Sequence, residues 1–213
     1  MSANLMSLAR SGGKFLKLFG DRKMVKPLPY DAEVEWIQGN VDSVHNLCPF
    51  IHIDMYTGSS PLFYLEFVIS DVLKPSNDMK VLSTSRGAVN VIGKSFRETG
   101  VKATNDRWRF INDYYEKNTF DMYNLDTGDF YAKKSNWTYD GAKGINIFGH
   151  SNLNTSYFSS CKFHYLKFRG RDGLLDIIPV RVGDVGYLYD RVSGQLFGKS
   201  GTGAFIVGPD KTI

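Results

Sequence analysis

Turn-forming residues recur at short intervals along most of this chain, and that spacing constrains its fold more than any other feature. The clusters include Gly58-Ser59-Ser60-Pro61, Pro75-Ser76-Asn77-Asp78, Asn105-Asp106, Asp126-Thr127-Gly128-Asp129, Asp140-Gly141, Arg171-Asp172-Gly173, Gly183-Asp184 and Ser193-Gly194. Turn signals roughly every 8–12 residues, with short runs between them, are the mark of a β-sandwich or barrel. The runs fit. Phe50–Met55 alternates apolar and polar residues, Leu62–Ile69 is apolar enough for a core strand, and Gly144–Gly149 and Cys161–Phe168 have period two. Val185–Asp190 and Gln195–Phe197 flank Arg191–Gly194 as a hairpin. No stretch holds a helical apolar period for three turns, and no internal repeat is evident. The expectation is an all-β fold. With 213 residues it suits one large domain, or one domain with an appendage. No apolar run approaches the ~20 residues that span a bilayer, and Met1–Phe19 makes a poor secretory signal.

Charge divides the chain unevenly. Residues 1–30 hold Arg10, Lys14, Lys17, Arg22, Lys23 and Lys26 against Asp21 alone, a charge of +5; the whole chain carries +4, which leaves −1 for residues 31–213. A basic arm therefore precedes a near-neutral body. Within it, Lys14–Phe19 and Arg22–Lys26 flank Gly20-Asp21 and suggest a β-hairpin, and Pro27-Leu28-Pro29 follows as a stiff linker. An isolated hairpin is marginal in water, so this one calls for a partner. A protein surface is a better expectation than nucleic acid, because the body lacks the interleaved aromatic and basic residues of a single-strand platform.

Residue patterns that carry chemistry are few in this sequence. Gly198-Lys199-Ser200 resembles the end of a phosphate loop, but Ser193 occupies the position of the required earlier glycine and a strand-like run follows. His52 and Asp54 share a strand face without a second ligand pair, so a structural histidine is expected. Glu33 and Glu35 invite a paired-acid reading beside Trp36, although a solvated face is the simpler one. No serine-hydrolase elbow is present. Cys48 and Cys161 are too few and too far apart for a disulfide framework or a zinc site, and buried thiols are expected. The chain is read as non-enzymatic, with no cofactor and no metal. Trp108, Trp137 and Tyr139 are candidate stacking residues for a glycan.

Two segments carry a resemblance. Leu28-Pro29-Tyr30-Asp31-Ala32-Glu33-Val34-Glu35-Trp36-Ile37 resembles the opening strand of a concanavalin A-like, laminin-G-like domain found in tailed bacteriophages and their gut bacterial hosts. Leu174–Arg181, then Val185–Asp190, Val192–Phe197 and Ser200–Phe205, resemble its closing strands. Together they bracket residues 28–210; Gln38–Asn46 departs from the family's usual continuation of the opening strand. The resemblance implies a two-sheet antiparallel jelly-roll sandwich at residues 30–213, preceded by an anchoring arm or hairpin at 1–29. It implies a virion structural protein, such as a head-fibre, capsid-decoration or tail-fibre subunit, assembled in the host cytoplasm and homo-oligomeric. The family has no shared catalytic residues to carry across. Other virion proteins are the expected partners of the arm, through Lys14, Phe15, Leu16, Lys17, Leu18, Phe19, Arg22, Lys23 and Met24. A host-surface glycan is the candidate partner of the body, with no membrane. The alternative is a carbohydrate-binding module of a phage or gut bacterium.

Overall fold

The computed structural model describes residues 27–39, 49–54, 64–72, 82–84, 104–113, 119–134, 144–148, 161–170, 173–200 and 203–212. The described residues hold strands and turns and no helix. The strands are β1 (Ala32–Glu33), β2 (Ile37–Gly39), β3 (Ile51–Asp54), β4 (Tyr64–Ser70), β5 (Leu82–Thr84), β6 (Trp108–Asp113) and β7 (Thr119–Asn124). They continue as β8 (Phe130–Lys134), β9 (Gly144–Ile147), β10 (Lys162–Arg169), β11 (Leu174–Val182), β12 (Val185–Asp190), β13 (Leu196–Phe197) and β14 (Phe205–Val207). Eleven form one antiparallel sheet along the path β13-β12-β11-β10-β4-β6-β7-β8, with β1, β2 and β14 joined beside it; β3, β9 and β5 form a second sheet of three. The all-β expectation holds among the described residues.

Alternation sets the faces of the large sheet. Leu65, Phe67 and Ile69 of β4 point inward, as do Trp108, Phe110 and Asn112 of β6, and all six are at most 3% exposed. Phe67 and Phe110, cross-strand partners, stack with ring centroids 4.9 Å apart. The small sheet adds Ile51, Ile53, Ile145 and Ile147 to the same hydrophobic cluster. One core therefore serves both sheets. β9 departs from the period-two reading: all four of its residues are buried, so both of its faces are covered.

β10 departs from it as well. Phe163, Leu166 and Phe168 all belong to the core, yet Phe163 and Leu166 are three apart, which in a regular strand places them on opposite faces. A register shift between Phe163 and Tyr165 resolves the conflict, since Phe163 pairs with Ile69 while Tyr165 pairs with Val68. The extra residue is His164. A bulge is the cost of keeping both apolar side chains inside.

Opposite ends of the described body meet in a two-stranded ribbon. Phe205 pairs with Gly39, Ile206 with Gln38 and Val207 with Ile37, and the same register continues to the Val34–Asp210 bridge. On its other edge the first strand of the ribbon pairs antiparallel with β11 through Ala32 and Glu33, then antiparallel with β10 through Ile37 and Gln38. β10 and β11 are themselves antiparallel, so the ribbon must turn between Glu33 and Ile37. The corner is braced. His164 donates from Nδ1 to the Glu35 carbonyl at 2.9 Å, and its Nε2 then accepts from Ser70 Oγ at 2.9 Å. Lys162 Nζ lies 4.4 Å from the centre of the Trp36 ring and 2.6 Å from Asp71. Gly208 lies under that indole, where an added Cβ would come within 2.8 Å of it.

Burial pushes the His164 imidazole below its ordinary value; repulsion from Arg107 and Lys162 adds to this, against the Glu35 backbone bond and carboxylate. The folded state thus favours neutral His164. Its contribution is whole above the unfolded value of about 6.5 and is lost as pH falls through that value towards the lower folded one. His164→Asn keeps a donor for Glu35 and removes the titration. Denaturant unfolding of the variant is expected to be flatter than the parent between about pH 7 and pH 5; identical pH dependence would refute this role.

Two hairpins use one five-residue turn. Asn124-Leu125-Asp126-Thr127-Gly128 links β7 to β8, and Asp190-Arg191-Val192-Ser193-Gly194 links β12 to β13. In each, the glycine N–H donates to the carbonyl of the first residue, at 2.9 and 2.8 Å. In each, the side chain of that first residue accepts from the N–H groups two and three positions on. Gly128 and Gly194 hold φ of 83° and 74°, which a side chain would resist.

Candidate binding face

The side of the large sheet turned away from the core is where functional chemistry collects. Register arranges it in ranks. The first rank runs Asp113, Tyr64, Arg169, Leu174 across β6, β4, β10 and β11. Behind it lie Asp121, Ile111, Glu66, Lys167 and Asp176, and behind those Phe130, Tyr123, Arg109, Val68 and Tyr165. A period-two strand puts every second side chain on this face, and apart from Leu174, Ile111 and Val68 the residues in these ranks are aromatic or charged.

Cations and rings are matched. Arg109 Cζ lies 4.8 Å from the Tyr123 ring centre, Lys167 Nζ 5.7 Å from that of Tyr165, and Arg169 Cζ 6.0 Å from that of Tyr64. Tyr123 and Phe130 sit 4.7 Å apart, tilted. Such contacts hold long side chains in place at about 0.5–1 kcal/mol each where exposed. Glu66 occupies the middle: Tyr64 donates to its Oε2 and Tyr165 to its Oε1. Burial, then the bond to Glu66, pushes both phenols above the usual tyrosine range, so both stay protonated as donors.

At the first rank the face opens into a cavity of about 400 Å³, lined by Tyr64, Asp113, Lys167, Arg169, Leu174 and Val192 among others. Leu174 is 53% exposed and Val192 52%, so its apolar walls are open to solvent. Val192 reaches it from the turn that Asp190 holds. Asp176, also in the lining, is engaged by Arg191 at 2.9 and 3.0 Å. Across the face, Asp113, Asp121, Glu66 and Asp176 balance Arg109, Lys167, Arg169 and Arg191. The surface is polar without a net sign.

The residues singled out from sequence lie elsewhere. Trp108 is 2% exposed, packs on the core side opposite Ile69 and has its ring 6.1 Å from that of Tyr131. A ring without an open face cannot stack on a sugar, so Trp108 is a core residue and not a glycan contact. Trp137 and Tyr139 lie outside the described residues, as does the whole anchoring set from Lys14 to Met24. His52 is structural, its Nδ1 2.6 Å from Oδ1 of its cross-strand partner Asn146. Cys161 is a buried cysteine, as expected; Cys48 is outside the described residues. Glu33 meets Tyr30 and Lys211, while Glu35 is exposed at the corner. Lys199 donates to the Gly203 carbonyl, which suits a turn rather than a phosphate loop. The face itself went unread from sequence, although Tyr165, Lys167 and Arg169 at two-residue spacing carried the signal.

Compared with known proteins, the chain matches no family model, no curated protein and no solved structure.

Proposed function

We propose that this chain is a non-enzymatic structural component of a bacteriophage particle, a head-fibre, capsid-decoration or tail-fibre subunit. In this reading residues 30–213 are a concanavalin A-like jelly-roll sandwich for display, homo-oligomeric in the virion, and residues 1–29 are its anchor. The observation that carries the reading is the mutual pairing of the two segments that hold the resemblance. Ala32 and Glu33 of the opening segment pair with Arg181 and Val180 of β11, so residues resembling the first and closing strands of that domain are hydrogen-bonded neighbours. The shared core of a large and a small sheet is compatible with a sandwich.

The concentration of positive charge before residue 30 gives the arm its role, since the body is nearly neutral and an acidic protein surface would capture the arm alone. Phe15 and Phe19 would supply the buried contacts. A pull-down of the full chain against disassembled particles tests this. Phe15→Asp with Phe19→Asp is expected to abolish capture, as is deletion of residues 1–29; capture unchanged by either would overturn the anchor.

The balanced aromatic face favours a second reading, a carbohydrate-binding module of a phage or gut bacterium. The two are compatible if the displayed body adheres to a host-surface glycan. A glycan-array signal that survives deletion of residues 1–29, with no virion partner, would favour the module alone.

A further inference from the structure

We infer that the cavity at the first rank is a saccharide site that takes one neutral sugar unit. The inference rests on the reading of this face as a glycan-adhesive surface and deepens it by naming the site and the ligand class. Its volume of about 400 Å³ falls within the range of small-molecule pockets, and its composition matches theirs, apolar walls with few polar groups. Tyr64, Phe168, Leu174, Leu175 and Val192 form the walls. Lys167 and Arg169 supply donors and Asp113 supplies acceptors, and a sugar presents both kinds of partner around a ring whose C–H face is apolar.

Three other ligand classes fit less well. Nucleic acid binding depends on an excess of positive charge, and here the charges cancel. An acidic sugar would gain Lys167 and Arg169 but would meet the Asp113 and Asp176 carboxylates in the same cavity. An extended peptide binds by adding to a sheet edge, whereas β6, β4, β10 and β11 are all interior to their sheet. A neutral polyhydroxyl ligand needs neither net charge nor an edge. Leu174 and Val192 then have an occupant that would cover them.

Amide chemical-shift mapping by NMR on the full chain is the test, titrating D-glucose, D-galactose, D-mannose and N-acetyl-D-glucosamine separately, with D-glucuronic and N-acetylneuraminic acids as anionic comparators. The expected result is that at least one neutral sugar, at millimolar concentration, shifts the amides of Lys167, Leu174 and Val192. Asp113→Asn should weaken that sugar about tenfold, the loss of a charge-assisted hydrogen bond. Val192→Trp, which fills the cavity from a surface turn, should remove the shifts while leaving distant amides unchanged. Absence of shifts with all four neutral sugars, or shifts with the acidic sugars alone, overturns the inference. Particle capture through residues 1–29 is measured separately, so loss of the sugar site and loss of the virion role remain distinguishable.

Discussion

Replacing Asp190 by alanine is expected to destabilise the protein by about 3 kcal/mol or more and to lower its melting temperature by roughly 10 °C. The carboxylate is fully buried and accepts four hydrogen bonds. They come from the backbone N–H groups of Asp176, Val192 and Ser193, and from Ser193 Oγ at 2.6 Å. Alanine leaves all four donors without their acceptor, and the buried ones bear the full desolvation cost. The damage spreads beyond the turn. Asp176 is the residue that engages Arg191, and Val192 is a wall of the cavity, so the variant should also weaken any ligand seated there. Ser193→Ala removes the bond from Oγ to Asp190 and the one that Oγ accepts from the Gln195 N–H at 3.3 Å, and should cost about 1–2 kcal/mol. Denaturant unfolding followed by tryptophan fluorescence measures both. An alanine variant within about 1 kcal/mol of the parent would show that water replaces the carboxylate without penalty.

Asn112→Leu should change stability in the opposite direction, raising it by about 2 kcal/mol. Asn112 is 0% exposed on the core face of β6, opposite Leu65, and neither its Oδ1 nor its Nδ2 has a hydrogen-bond partner among the described residues. A buried amide without partners has lost water and gained nothing in return. Leucine is of similar size and carries no polar atom, so the substitution removes that cost while keeping the volume. Asn112→Ala separates the two effects, because it removes the amide but leaves a void and should fall below the leucine variant. A drop in melting temperature for Asn112→Leu would mean that the amide serves a buried water or ligand.

Much of the fold was legible because alternation and turn chemistry are local. Leu62–Ile69 read as a core strand, and its described part belongs to β4; Val185–Asp190 and Gln195–Phe197 read as a hairpin and pair as one. The turn after Asp190 was visible as Ser-Gly, yet its holding group was not, since a buried aspartate and a solvated one are written with the same letter. β6 was missed. Its Trp-Arg-Phe-Ile-Asn-Asp places an apolar residue outward and an amide inward, which blurs the alternation that marks a strand. The bulge at His164 was hidden for a related reason: Cys161–Phe168 alternates well by eye, and only the burial of both Phe163 and Leu166 exposes the mismatch. Trp108 illustrates the limit for sites. Type and spacing identify an aromatic, but whether its ring faces solvent depends on which side of β6 meets the core.

Sequence alone settled the class of structure to which most segments belong. Period-two runs between turn residues can bury one face only as strands, and the absence of helical periodicity left an all-β chain as the physical outcome. It also located the imbalance of charge before residue 31. Tertiary structure decided which strands meet. The union of residues 33–39 with 205–211, the corner that His164 braces, and the rank of Asp113, Tyr64, Arg169 and Leu174 all join residues distant in the chain. Such pairings depend on register, and a slip of one residue turns every side chain of a strand to the other face. The cavity belongs to that second level, because it exists only where four strands and one turn are held in register.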